Sequence, residues 1–339
     1  MGGKSLTILS ILFVLLWSSG WTVSHDAVAQ NSAVNLLSLR YIIVFAVLTV
    51  LVIVSGSWRK LHRVHISTHL LIGALSHGIY LLAGVGAFEL GASAALIACV
   101  AGLQPMTTAI LGRDFNGEII TTRQWLGLAL GFGAVLLFVS DGLAHGLSGY
   151  TIILPLISAV ALSIGMLLHR KAEQRNQRSK VKKPPISLLL FLHCTGALGV
   201  LLPIQLVQGG GSITLNAEQW MVVLWLALVV SLGAYGLMQL LIRHISAAQM
   251  SSLTYLVPPA TMLQASLFFG HTLTKMDVTM TTIATVAVFL VMTGAKAPQK
   301  TRSGTAAYQS VAKFSGPGVS AALPASGTVR RQLSPNIEL

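Results

Sequence analysis

Apolar runs of about twenty residues, parted by short polar stretches, recur along most of the chain. They fall at about 5–24, 34–56, 66–88, 91–112, 122–140, 150–169, 186–207, 220–242, 246–269 and 276–295. A helix of that length crosses a hydrocarbon core of roughly 30 Å, whereas a transmembrane barrel would show short alternating segments. The pattern predicts an all-α polytopic membrane protein with ten transmembrane helices. From Lys296 onward no long apolar run remains, and Ser, Ala, Gly and Pro dominate. That composition predicts a disordered tail over 296–339.

The apolar pattern also repeats. At an interval of 153 positions, SAALIACVAGLQPMTTAILGRDFNGEIITT from Ser93 lies over SAAQMSSLTYLVPPATMLQASLFFGHTLTK from Ser246. Pro105 falls on Pro258, Phe115 on Phe268, Gly117 on Gly270 and Thr121 on Thr274, with Ala134-Val135 over Ala287-Val288. Proline and glycine matches carry weight, because each encodes a backbone event. A mid-helix proline is expected to kink its span, and a glycine twelve residues on ends it. Thr121 with Gln124, and Thr274 with Asp277, then stand at capping-box spacing to start the next helix. Glu118 and His271 occupy the two equivalent hairpins. The halves are 1–149 and 150–295, five spans each, and an odd number of spans inserts the second copy upside down. Inverted repeats of this kind mark secondary transporters, with the substrate site between the halves near the midplane.

Composition agrees with lipid as the solvent: 54% of the 339 residues are hydrophobic and 9% charged, against roughly 25% charged in soluble domains. The net charge of +13 invites a nucleic-acid reading, but its placement speaks against one. With ten spans and a cytoplasmic N-terminus, every Lys and Arg except Arg40 and Lys275 falls on the inner side or in the tail. The outer turns carry Glu89, Asp26, Asp141, Glu218 and Asp277 instead. This is the positive-inside pattern. It predicts both termini in the cytoplasm and a basic cytoplasmic loop over 170–185, placed to touch anionic lipid. Lys4, the first apolar run and Ala27-Val28-Ala29 imitate a secretory signal. The repeat requires the first helix, so it is expected to be retained.

LLWSSGW at 15–21, LSLRY at 37–41, SAALIACVAGLQPMTTAI with FNGE, RQWLGLALGFGAVLLF at 123–138, SAAQMSSLTYLVPP and LFFGHTLT are similar to segments of one family. The chain resembles EamA-type permeases of the drug/metabolite transporter superfamily over about residues 5–295. The resemblance implies a permease of the plasma (inner) membrane whose cargo is a small organic metabolite, an amino acid or related compound, moved by export. His271 departs from the family pattern, where glutamate is usual. It reads either as a proton-sensitive group on the outer face or as a wet turn residue, and the turn reading is preferred.

Polar residues inside spans are costly in lipid and should face the bundle interior. Arg40 lies six residues into the second span and serves either as a counter-ion for an anionic substrate group or as a snorkelling side chain. His77 and Tyr80 share a face of the third span, and His193 lies in the seventh. Gln104 stands beside Pro105, Tyr235 and Gln239 are four apart, and Tyr255 precedes Pro258 with Gln264 beyond. Trp17 offers an apolar wall, with Ser18 and Ser19 allowing close helix approach. Together with the helix breaks at Pro105 and Pro258, these describe a modestly polar cavity for a small zwitterionic or amphipathic solute. Any of them could equally serve helix packing.

HRVHISTH at 62–69 places His65 and His69 four apart, but the other histidines are scattered, so a solvated loop is preferred to a metal site. No phosphate-binding glycine loop, HExxH or nucleophile motif appears, and Cys99 and Cys194 are expected as free thiols. No cofactor, metal or enzymatic activity is implied, and the oligomeric state stays open. The energy source is the solute's own gradient or coupled protons, which His77 and His193 would have to carry without a mid-span carboxylate. A non-transporting receptor or accessory subunit on the same scaffold remains the rival reading.

Overall fold

Lipid offers the backbone no hydrogen bonds, so a spanning segment must satisfy its own as a helix. The computed structural model describes residues 3–28, 32–92, 97, 104–116, 119–143, 153–178, 183–209, 215–269 and 275–294, and the regular elements among them are all helical. The helices are α1 (Gly3–Val28), α2 (Ala33–Val54), α3 (Ile66–Gly73), α4 (Tyr80–Glu89), α5 (Gln104–Asn116), α6 (Thr122–Leu143) and α7 (Ile153–Arg178). They continue with α8 (Ile186–Val207), α9 (Ala217–Leu224), α10 (Tyr235–Leu241), α11 (Ala247–Ser252), α12 (Val257–Phe269) and α13 (Lys275–Gly294). A π-helical segment, Ala74–Ile79, joins α3 to α4, and a second, Trp225–Ala234, joins α9 to α10. Among the described residues six stretches are long and apolar enough to cross a membrane: Lys4–Ser24, Ala33–Val54, Ile66–Glu89, Ile153–Arg178, Ile186–Val207 and Ala217–Leu241. The protein is a multi-pass membrane protein. The hairpin residues Glu118 and His271, Cys99 and the tail lie outside the described residues.

Local chemistry sets the helix starts. Ser32 accepts from the Asn35 N–H, and the Glu89 carboxylate takes the Ala33 N–H, so two orphan donors of α2 are satisfied. Thr121 and Gln124 form the expected capping box: the Thr121 N–H reaches Gln124 Oε1 at 3.0 Å and the Gln124 N–H reaches Thr121 Oγ1 at 3.3 Å. Asn216 with Gln219 and Ser246 with Gln249 do the same for α9 and α11.

Element bounds recur at the interval of 153. α2 (33–54) matches α8 (186–207), α5 (104–116) matches α12 (257–269), α6 and α13 begin at 122 and 275, and the π segments overlap. Packing follows the same exchange. α1 lies against α12 as α7 lies against α5, while α2 packs on its own counterpart α8 and α6 on its counterpart α13.

At Pro258 the helical run is broken by a 3-10 turn, Leu253–Leu256, between α11 and α12. Pro105 is the second described residue of α5, and residues 101–103 before it lie outside the described residues. The linker departs from expectation: α7 runs on to Arg178, so half of the expected 170–185 loop is helix. Glu173 explains this locally, because its buried carboxylate pairs with Lys183 Nζ at 3.1 Å and accepts from Gln177 one turn on.

The tightest packing is backbone on backbone. A Cβ on Gly73 of α3 would collide with the His193 carbonyl of α8, and one on Gly196 of α8 would collide with the Leu70 carbonyl of α3. Small residues permit such approach where helices meet in lipid. Gly199, one turn along α8, has nothing within 4 Å of its Cβ position. Gly196→Ala should therefore lower the unfolding temperature in detergent, by overpacking of about 1–3 kcal/mol. Gly199→Ala should hold or raise it, through helix propensity of up to about 1 kcal/mol. Equal unfolding temperatures for the two variants would show that α3 and α8 do not meet this way.

Candidate functional site

The two π segments create the site. A π turn misaligns the backbone ladder and leaves carbonyls for other donors. The Ser231 hydroxyl, inside the second segment, donates to the Leu226 carbonyl at 3.0 Å and thereby turns a lone pair toward α2. Arg40 Nε donates to it at 2.8 Å. The first segment is used in mirror fashion: Tyr235 donates its hydroxyl to the Ser76 carbonyl at 3.0 Å. Each π segment thus accepts from a residue outside it, and the pair fixes Arg40 and Tyr235 at the centre of the bundle.

Around them an aromatic box closes. The Trp17 ring lies 4.6 Å from Tyr235 and 6.1 Å from Tyr80, centroid to centroid, and Tyr80 meets Trp21 edge-on at 5.9 Å. Trp17, Arg40, Tyr80 and Tyr235 line one cavity of about 20 Å³, room for about one water molecule. Arg40 is 2% exposed, and its Nη2 has no hydrogen-bond partner in the protein. No carboxylate pairs with it among the described residues. A guanidinium buried this way carries a large desolvation cost.

A second layer continues from the first. His77 stacks on Tyr235 at 3.8 Å, and its Nδ1 shares a hydrogen bond with the Tyr41 hydroxyl at 3.0 Å. The His193 ring is 5.5 Å from His77. Gln239 Nε2 donates to His193 Nδ1 at 2.9 Å, and His193 Nε2 shares a hydrogen bond with His69 Nδ1 at 3.1 Å.

Seven of the expected residues therefore converge: Trp17, Arg40, His77, Tyr80, His193, Tyr235 and Gln239. The other three hold helices together elsewhere. Gln104 Oε1 accepts from Thr254 at 3.2 Å, Tyr255 donates to the Leu128 carbonyl at 3.1 Å against Gly131, and Gln264 donates to the Leu15 carbonyl at 2.9 Å.

Sequence reasoning missed Tyr41, Ser231, His69 and His169. His69 was placed in a solvated loop, yet it is 3% exposed and sits in α3, and His169, 2% exposed, sits in α7. A signal was present for His69: read as a helix start, HRVHISTH puts His69 and Gly73 on one stripe, facing α8. His65, by contrast, is exposed, and no group of three or more His, Cys, Asp or Glu in metal-holding geometry occurs among the described residues. Cys194 is a buried free thiol that donates to the Tyr41 carbonyl at 3.3 Å.

Comparison with known proteins completes the picture. The EamA-like transporter family matches residues 4–140 and again 149–293. A probable amino-acid metabolite efflux pump of Salmonella typhimurium is 25% identical over 282 residues, 79% of this chain and 88% of the relative. YedA of Escherichia coli K12, an uncharacterized inner membrane transporter, is 24% identical over 299 residues, 85% of this chain and 92% of the relative. A solved crystal structure shares the fold at a TM-score of 0.68 and 15% identity, over 86% of this chain and 98% of that one.

Ser231→Ala removes the acceptor from Arg40 Nε and should cost about 1–3 kcal/mol, the penalty for a buried donor left unsatisfied. Thermal unfolding in detergent measures it. Thr279→Ala, at an exposed hydroxyl bonded to its own helix, should stay within about 0.5 kcal/mol.

Proposed function

The chain belongs to the EamA-like transporter family, and on that premise we propose that it exports a small metabolite bearing a carboxylate, an amino acid or close relative, by alternating access. The observation that carries this is Arg40: buried, held by one neutral hydroxyl, with Nη2 free and no acid beside it among the described residues. A cation in that state gains from an anionic visitor, and a guanidinium binds a carboxylate with two parallel hydrogen bonds. The aromatic walls of Trp17, Tyr80 and Tyr235 suit the apolar remainder of such a solute. The Salmonella typhimurium relative is named a probable amino-acid metabolite efflux pump.

The cavity around Arg40, about 20 Å³, is too small for an amino acid. Binding such a solute there requires the groups around the cavity to move apart. Several features support two inverted five-helix halves, ten spans in all, as the parts that move. Helix bounds recur at 153 residues, and counterpart helices pack on one another. Tyr41 and Cys194, themselves 153 apart, touch each other, as equivalent residues do only near a two-fold axis. Such an axis in the membrane plane turns one half over relative to the other. The basic residues then lie inside, with both termini cytoplasmic in the inner membrane.

Two experiments test this reading. Proteoliposomes holding the full chain should exchange labelled L-amino acids across the membrane when a panel of the standard twenty is screened by counterflow. Arg40→Gln should weaken the best of them by about tenfold to hundredfold and erase its advantage over the corresponding amide. Unchanged preference would remove Arg40 from the site. Single cysteines at Arg175 and at Leu339 should react with an impermeant thiol reagent from the same face; labelling from opposite faces would end the ten-span arrangement.

A further inference from the structure

Four histidines, His69, His77, His169 and His193, come from α3, the first π segment, α7 and α8 and meet in one cluster. Ring centroids lie 5.4 Å apart for His69 and His193, 5.5 Å for His77 and His193, and 5.6 Å for His169 and His193. None is more than 3% exposed. At one end the cluster reaches the Arg40 cavity through His77, Tyr41 and Tyr235. At the other, His69 opens on a second cavity, of about 200 Å³, lined also by His65, Lys171 and Arg175. The histidines therefore bridge a tight pocket and a roomier, basic one.

We propose that this histidine column is the proton path of the transporter, carrying protons opposite to the solute. The proposal rests on the transport reading above. Consider the central pair. Gln239 Nε2 donates to His193 Nδ1, so neutral His193 holds its proton on Nε2 and donates it to His69 Nδ1. When a proton binds His193 Nδ1, the Nε2 proton passes to His69, and His69 releases its own Nε2 proton into the basic cavity. One proton enters and one leaves, and both rings end neutral with tautomers exchanged. Gln239 fits both states: a half-turn of its amide offers Oε1, which has no hydrogen-bond partner now, to accept from His193 Nδ1–H. His77 Nε2 and both nitrogens of His169 also have no protein partner. They are the polar atoms through which water links separated rings.

Charge explains the opposition of proton and solute. Arg40 and His169 act on His77; His65 acts on His69; Arg170 and Arg243 act on His169, and its ring neighbours act on His193. Tyr41 and Tyr235 are the other titratable groups in contact. Glu173, one turn beyond His169, is tied to Lys183. The surroundings are cationic, so a protonated His77 and the ammonium of an amino acid cannot share the Arg40 end.

The test uses full-chain proteoliposomes with trapped pyranine and the amino acid that counterflows fastest in the panel. Adding it outside should alkalinise the lumen. His69→Gln should cut that proton signal by at least about tenfold while cutting counterflow by less than about twofold. His244→Gln, at an exposed ring bonded to its own helix, should keep both signals. Counterflow without any pH change in the unaltered protein overturns the proposal, as does an equal loss of both signals in His69→Gln, the mark of a structural role. No counterflow at all would strike the transport reading instead. Proton entry driven by a valinomycin–potassium potential then still decides, because equal rates with and without His69 overturn the column on their own.

Discussion

Lipid supplies no hydrogen bonds, and that one constraint organises this protein. Each polar group in the bundle must find its partner on another helix or be used by something that visits. The pairing across helices is accordingly direct. Arg40 of α2 holds Ser231 of the second π segment, Tyr235 holds the first, Gln239 of α10 holds His193 of α8, and His193 holds His69 of α3. Three of them cross between the halves, up to 191 residues apart for Arg40 and Ser231, and the bond from Gln239 to His193 joins two helices of the second half. Arg40 Nη2 is among the buried groups left over, and Arg40 lines the aromatic cavity.

Such bonding demands close helices, and glycine provides the closeness. Gly73 and Gly196 let α3 and α8 touch through their backbones, which brings His69 to His193. Gly165 of α7 leaves room for the Ser76 hydroxyl of the first π segment, and Gly84 of α4 for the Trp21 ring. Side-chain chemistry at the centre thus depends on side chains that are missing around it. Apolar packing elsewhere gives cohesion in lipid and little direction.

How much of this was legible in the sequence follows from the same physics. Length and apolarity place the helices, because the bilayer fixes both, and α2 and α8 fall within a residue or two of the runs that announce them. Prolines and glycines at a constant interval disclose the duplication. What could not be read is anything set by rotation of one helix against another. Tyr255 and Tyr235 look alike as mid-span tyrosines, yet one joins the aromatic box and the other bonds the Leu128 carbonyl beside Gly131. The π segments have no compositional mark, and without them Ser231 is one serine among many. His169 went unnoticed because a run of charges follows it. The helix carries on beneath those charges, because Glu173 is buried and paired.

The duplicated frame also explains what differs between its halves. Position 40 of the first half corresponds to 193 of the second, so Arg40 and His193 occupy the same place in two copies of one helix. Tyr41 corresponds to Cys194, and His77 to Val230. One copy carries a permanent cation next to an aromatic box, and the other carries a titratable ring bonded to His69, which lines the basic cavity. The symmetric parts, α2 on α8 and α6 on α13, pack counterpart on counterpart. The asymmetric parts lie on the helices nearest the contact between Tyr41 and Cys194. Duplication supplies the frame, and divergence at a handful of its positions supplies the chemistry.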